Sequence, residues 1–151
     1  MNKKLTHIDT KGEARMVDVS DKPMQQRMAV ARGEIRMAAA TLRLIRGAKI
    51  AKGNVLATAR IAAIQAAKRT ADLIPMCHPL AINHCEVEFD FPKSSNTIVI
   101  TSTVKVNGQT GVEMEALTAV NLAALTIYDM CKAVDNKMRI TNVKLISKIK
   151  K

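Results

Sequence analysis

Residues 85–106, CEVEFDFPKSSNTIVITSTVKV, decide the fold. Val87, Phe89 and Phe91 alternate with Glu86, Glu88 and Asp90, the period of two expected of a strand with one dry and one wet face. PKSSN is a turn composition, and TIVITSTVKV (97–106) is dense in β-branched residues, so the two runs read as a hairpin. The pattern then changes. Residues 110–133, TGVEMEALTAVNLAALTIYDMCKA, form the longest helix of the chain, and from Ala116 to Tyr128 almost every residue is small or apolar. A helix that is apolar all round is expected to be buried all round.

Working outward, MQQRMAVARGEIRM (24–37) alternates in part and reads as a strand, and 37–46 reads as a helix ending at Gly47. Asn54 is a good N-cap for a second helix, NVLATARIAAIQAAKR, running to Arg69. RITNVKLISKI (139–149) closes the chain as an edge strand with a basic end. The expected class is α+β: one domain spanning 1–151, a mostly antiparallel sheet with helices packed on one face.

Composition narrows the function. Hydrophobic residues make up 48% of the chain but aromatics only 2%, so the core must come from Ala, Ile, Leu, Val and Met. The formal net charge of +11 points to an anionic partner: nucleic acid, a membrane surface or a phosphorylated small molecule. Scarce aromatics weigh against single-stranded nucleic acid, whose sites stack bases on rings. No run approaches the ~20 apolar residues of a membrane span, and MNKKLTHIDT lacks the apolar core of a secretory signal. Three cysteines without framework spacing fit a reducing cytoplasm.

Several side chains carry chemistry. Thr110 and Glu113 fit a capping box at the start of the long helix, whereas Glu115 has no capping role. Asp129 and Lys132 continue the face of Leu122 and Leu125, either as a structural ion pair or as an acid–base couple whose lysine is shifted toward neutrality by low dielectric. Lys52 precedes Gly53-Asn54, where free amides at a helix start suit phosphate. PMCHPLAINHC (75–85) holds Cys77, His78, His84 and Cys85. Zinc is one reading, but both pairs are adjacent in sequence, and zinc ligands usually come in pairs spaced by about two to five residues. A strand at His84-Cys85 would also send the two side chains to opposite faces. Pro75 and Pro79 hold Ile74 and His78 extended, which leaves a stiff ligand-gripping loop or a rigid connector.

LIPMCHPL (73–80), QTGVEMEALTA (109–119) and LTIYDMCKAVD (125–135), with the opening LTHID and MVDVS (5–20) and KGNVLATARIAAIQAAKRT (52–70) in the same order as in the family, resemble the molybdenum cofactor biosynthesis protein C family, the cyclic pyranopterin monophosphate synthases. The resemblance covers most of the chain. It implies a ferredoxin-like fold, a cytoplasmic homohexamer built as a trimer of dimers with the site at the dimer interface, and loss of pyrophosphate from a cyclised dihydroguanosine triphosphate. It further implies a radical-SAM GTP cyclase as the pathway partner, with neither nucleic acid nor membrane involved. Asp129, Lys132 and Lys52 are the implied catalytic residues. Met76, Cys77, His78, Glu113, Met114, Glu115 and Arg27 are the implied substrate contacts. No metal or resident cofactor is implied, and Mg²⁺ accompanying the triphosphate stays open. The family's Gly- and Lys-rich tail is absent from LISKIKK, where Lys148, Lys150 and Lys151 could supply charge instead. A non-enzymatic basic nucleic-acid-binding protein on the same fold is the alternative.

Overall fold

The computed structural model describes residues 8–151. The expected hairpin is β2 (His84–Asp90) and β3 (Thr97–Gly108), paired antiparallel with Val87 opposite Ser102. β1 (Gln25–Arg36) lies on the other side of β3, and β4 (Arg139–Lys150) on the other side of β1. The order β2-β3-β1-β4 leaves β4 and β2 as edges, as the basic ending of the chain led one to expect. Helices α1 (Ala39–Arg46), α2 (Val55–Lys68) and α4 (Glu113–Cys131), with the single turn α3 (Thr70–Leu73), complete a ferredoxin-like α+β sandwich.

Small residues set how closely the two layers approach. Ala29, Ala31 and Ile35 of β1 and Ala116, Ala119, Val120 and Ala123 of α4 are fully buried against one another. At Gly33 an added Cβ would stand 2.6 Å from Val120 Cγ1 and 3.0 Å from Val143 Cγ2, so only glycine lets α4 cross β1 here. Ser102 spends its hydroxyl on the carbonyl of Ala116 at 2.7 Å, satisfying a buried polar group within the same seam. A core poor in rings is thus a core of short side chains and short interlayer distance.

Two expectations for α4 change. The helix begins at Glu113 with Val112 as N-cap and no side-chain cap, so Thr110 lies too far upstream to close a capping box. Nor is the helix buried all round: Leu125 is 53% exposed and Asn121 is exposed, because α2 and the sheet cover only two sides of it. The sequence reading missed α3, whose four residues are too few to show a period.

Candidate functional site

The C-terminal end of α4 gathers three charges from two distant stretches. Lys132 Nζ is 2.8 Å from Asp129 Oδ1, one helical turn back. Lys52 Nζ stands 3.5 Å from the other carboxylate oxygen and donates to the Asp129 backbone carbonyl at 2.9 Å. Both ammonium groups therefore sit at the negative end of the α4 dipole. Lys52 reaches there because Gly53, at φ +106°, turns the chain, while Asn54 caps α2 by accepting from Ala57 N–H at 3.0 Å. Its ammonium turns away from the α2 start, where sequence reasoning had aimed it.

Asp135, just beyond α4, locks this end in place. Its Oδ2 accepts from Ala38 N–H at 2.8 Å and from the Thr41 hydroxyl at 3.1 Å, supplying α1 with the cap its own sequence lacks. The hydrogen bonds hold the Asp135 carboxyl below the usual carboxylate range.

Asp129 and Lys132 do not emerge from a buried face. The side chains of Lys52, Asp129 and Lys132 are 47%, 60% and 54% exposed. The lysine is not pushed toward neutrality either. The hydrogen bond with Asp129, and then its charge, raise Lys132 above the ordinary ammonium value. The same bond, the Lys132 charge and the Lys52 charge lower Asp129. Pairing governs both groups, because the desolvation that opposes it is the smaller effect at this exposure.

The other end of α4 borders a cleft of about 360 Å³. It is lined by Met76, Cys77, His78, Glu113, Met114 and Glu115, and also by Val17, Val19, Lys22 and Thr110. Pre-proline geometry shapes its wall: Ile74 is extended at φ −113°, ψ 106°, and Cys77 N–H closes the turn onto the Ile74 carbonyl at 3.0 Å. His78 Nε2 is 2.7 Å from the Val17 carbonyl. A carbonyl only accepts, so Nε2 carries a hydrogen and Nδ1 is the ring nitrogen left for another partner. Gln109 holds the N-terminal arm over the cleft by donating to the Ser20 and Lys22 carbonyls, each at 3.0 Å.

Two carboxyl groups in this cleft differ in surroundings. Glu113 is bound to Lys148 Nζ at 3.0 Å and so stands between this cleft and a neighbouring one that the basic end of β4 lines. Glu115 is 4% exposed, and desolvation pushes its carboxyl up, with the Glu113 charge adding to the effect. Burial, then Glu115, also raises the Cys77 thiol. A charged carboxylate beside one that burial drives toward neutrality is an arrangement that can divide acid and base roles.

Arg27 stands apart from both clusters. Its guanidinium donates to the Gly108 and Gln109 carbonyls, each at 3.0 Å, and so fixes the loop leading into α4. It borders a neighbouring cleft with Glu113 and Lys148 rather than the one holding His78. His84 is exposed beside Glu86 at 3.7 Å, while Cys85 turns to the helix side, and among the described residues no three His, Cys, Asp or Glu side chains stand together as a metal site. Sequence reasoning missed Lys22, Val17 and Val19 in the cleft. Nothing in MVDVSDK marks an irregular arm as folding back over a helix start. No described helix is long and apolar enough to cross a membrane.

A ferredoxin-like sandwich with a carboxylate–lysine triad at one end of its central helix and an imidazole-bearing cleft at the other is a protein arranged for acid–base handling of an anion. The chain belongs to the MoaC family, whose model matches residues 16–150. It is similar to the cyclic pyranopterin monophosphate synthase of Chloroflexus aurantiacus, 59% identical over 95% of this chain and 88% of the relative. The enzymes of the same name from Parvibaculum lavamentivorans and Heliobacterium modesticaldum are 58% and 56% identical, over 97% and 95% of this chain and 91% of each relative.

Proposed function

We propose that the chain is a cyclic pyranopterin monophosphate synthase of molybdenum cofactor biosynthesis. It rearranges a cyclised dihydroguanosine triphosphate to cyclic pyranopterin monophosphate and releases pyrophosphate. The observation that carries the reading is the convergence of Lys52, Asp129 and Lys132, from two separate family motifs, into one hydrogen-bonded group. The net charge of +11 suits a substrate and a leaving group that are both polyanions.

The charge states suggest roles. Lys132 is held protonated by Asp129, so it gives the first proton rather than taking it. Asp129 orients it and stabilises the cation, and Lys52 offsets charge developing on phosphate. In the cleft, His78 accepts or donates at Nδ1, Met76 and Met114 supply apolar contact, and Cys77, Glu113 and Glu115 bind the polar edge of the ring system. Arg27 acts by holding the loop of Gly108 and Gln109. These side chains perform the acid–base steps without a resident cofactor, and any Mg²⁺ enters with the triphosphate.

A site of this kind spans two protomers. Glu115 and Asp129 are fourteen residues apart on one straight helix, about 21 Å along its axis, too far for one substrate to touch both clusters. Met114, Leu117, Asn121, Leu125 and Tyr128 form an outward stripe joining them at spacings of three and four. Antiparallel packing of two such stripes about a two-fold axis would set the cleft of one copy against the triad of the other. The stripe suits the dimer unit of the homohexamer that the family resemblance implies, and the proposed setting is the cytoplasm, with a radical-SAM GTP cyclase supplying the substrate.

The test is a coupled assay that supplies the cyclised triphosphate and follows pyrophosphate and pterin. Lys132→Ala and Asp129→Ala should each lose at least about 100-fold in turnover, the lower range for general acid–base groups, with unchanged melting temperature. An unaltered chain that binds the substrate without releasing pyrophosphate refutes the reading.

A further inference from the structure

The cleft beside the start of α4 has one wall that belongs to no helix or strand. Residues 17–22, VDVSDK, pass along it, and Val17, Val19 and Lys22 line it. This arm is a small unit closed on itself. Asp18 Oδ1 accepts from the Ser20 N–H at 2.9 Å and from the Ser20 hydroxyl at 2.7 Å, and the Lys22 N–H donates to the Val19 carbonyl at 2.9 Å. Pro23 then favours extended backbone at Lys22, before β1 begins at Gln25.

Among the described residues, three hydrogen bonds tie the arm to the rest of the chain, and two side chains make them. His78 Nε2 meets the Val17 carbonyl at 2.7 Å. The Gln109 amide makes the other two, donating to the Ser20 and Lys22 carbonyls, each at 3.0 Å. Because both partners are carbonyls, it is the NH₂ end of the amide that points at the arm. Gln109 is itself anchored. Arg27 donates to the Gly108 and Gln109 carbonyls, each at 3.0 Å, and Gly108 is the last residue of β3, opposite Gln25 of β1. One side chain thus joins the end of the central sheet to a segment with no regular structure.

We infer that Gln109 is a positioning residue: its side-chain amide latches the arm 17–22 over the cleft and so sets His78 and Lys22 for the substrate. The ligand is the cyclised triphosphate of the function proposed above, on which this role rests, whereas the latch is a property of the chain alone. Closure does two things. With the Val17 carbonyl in place, His78 Nε2 is occupied and Nδ1 is the nitrogen offered to the ligand.

Closure also brings a cation. Among the described residues that line this cleft, Lys22 alone carries an ammonium, against the carboxyl groups of Glu113 and Glu115. Asp18 is turned back onto Ser20 and is not part of the lining. A polyanion therefore meets acids in the open cleft and gains an ammonium in the closed one. It binds the closed state better, and its apparent affinity falls with the fraction of chains whose latch is released.

Three substitutions at Gln109 test the latch. Gln109→Glu keeps size and shape but turns the donor into a carboxylate that only accepts, Gln109→Ala removes the group, and Gln109→Lys restores donors as an ammonium. In ligand-free protein the His78 ring N–H proton, shielded from water by the Val17 carbonyl, should be visible by nitrogen–proton NMR in the unaltered chain and in Gln109→Lys. It should be lost to exchange in Gln109→Glu and Gln109→Ala, at unchanged melting temperature. In turnover, the same two variants should raise KM at least about 10-fold with kcat within about two-fold, because saturating ligand closes the arm again. A ring proton that persists in Gln109→Ala would overturn the inference. So would a Gln109→Glu chain indistinguishable from the unaltered one, which would show that the side chain only fills space, or a Gln109→Lys chain that behaves like Gln109→Ala. The NMR measurement needs no substrate, so a chain that shows this pattern but turns nothing over refutes the proposed function and leaves the latch standing.

Discussion

At the scale of single residues, Glu115 carries the clearest pH signature. Its carboxyl titrates higher in the folded chain than in the unfolded one, because the fold removes its water. The native state therefore binds more protons than the unfolded state above the ordinary carboxylate pKa of about 4, and stability falls as pH rises from there through the raised native value. Glu115→Gln removes that slope: in urea titrations the variant gains on the unaltered chain as pH increases, and matches it most closely at acid pH. A parallel pH dependence in both proteins would show the carboxyl to be solvated. Asp129 and Lys132 predict the opposite symmetry. A lowered carboxylate loses its contribution only as pH falls through its native value, and a raised lysine only as pH rises past the ordinary ammonium range near 10.4. Their pair is therefore constant across neutral pH, where exposed salt bridges of this kind add little to stability. Its exposure is better suited to chemistry than to holding the fold.

At the scale of elements, the contact between β1 and α4 depends on one missing methyl group. Gly33→Ala places a Cβ within 2.6 Å of Val120 Cγ1, an overpacking that costs about 1–3 kcal/mol and is read as a lowered denaturation midpoint. Val120→Ala in the same chain should recover part of the loss, since the clash is with that one side chain; no recovery would place the strain in Val143 or the backbone. At α2, Asn54→Ala removes the acceptor for Ala57 N–H and costs about 1 kcal/mol, whereas Asn54→Asp retains the cap. Elements with a full period were legible from sequence to within two or three residues: the alternation of Val87 and Phe89, the β-branched run 97–104, and the capped, Ala-rich α2. What stayed hidden depends on partners remote in sequence. Glu113 has the spacing of a capping box, yet it binds Lys148, thirty-five residues on. Asp135 caps a helix ninety-seven residues away. No local pattern records either contact.

At the scale of the whole molecule, both halves of the candidate site were named from motifs, and a single helix over 110–133 already set Glu115 and Asp129 fourteen residues apart. Lys52, Asp129 and Lys132 do meet, and the loop 76–78 does meet Glu113–Glu115, but α4 holds the two groups at its opposite ends. What the motifs could not tell is that Lys52 meets the last turn of that helix and the loop 76–78 its first, because both contacts join stretches remote in sequence. The consequence is a test of partnership between copies. His78→Ala damages only the cleft, and Lys132→Ala only the triad, so each chain alone should be inactive. In a dimer of one chain of each kind about a two-fold axis, one site inherits both damaged parts and the other inherits neither. Co-expression in equal amounts makes half the dimers mixed, each with one intact site of two, and activity should return to roughly one quarter of the unaltered level. Inactivity of the co-expressed mixture, with mixed dimers demonstrated by affinity tags, would mean that the triad and cleft serve separate reactions or that a single protomer must bend to unite them. Recovery near one quarter would place one substrate across two chains, with the positive end of one α4 and the negative end of the other at its two sides.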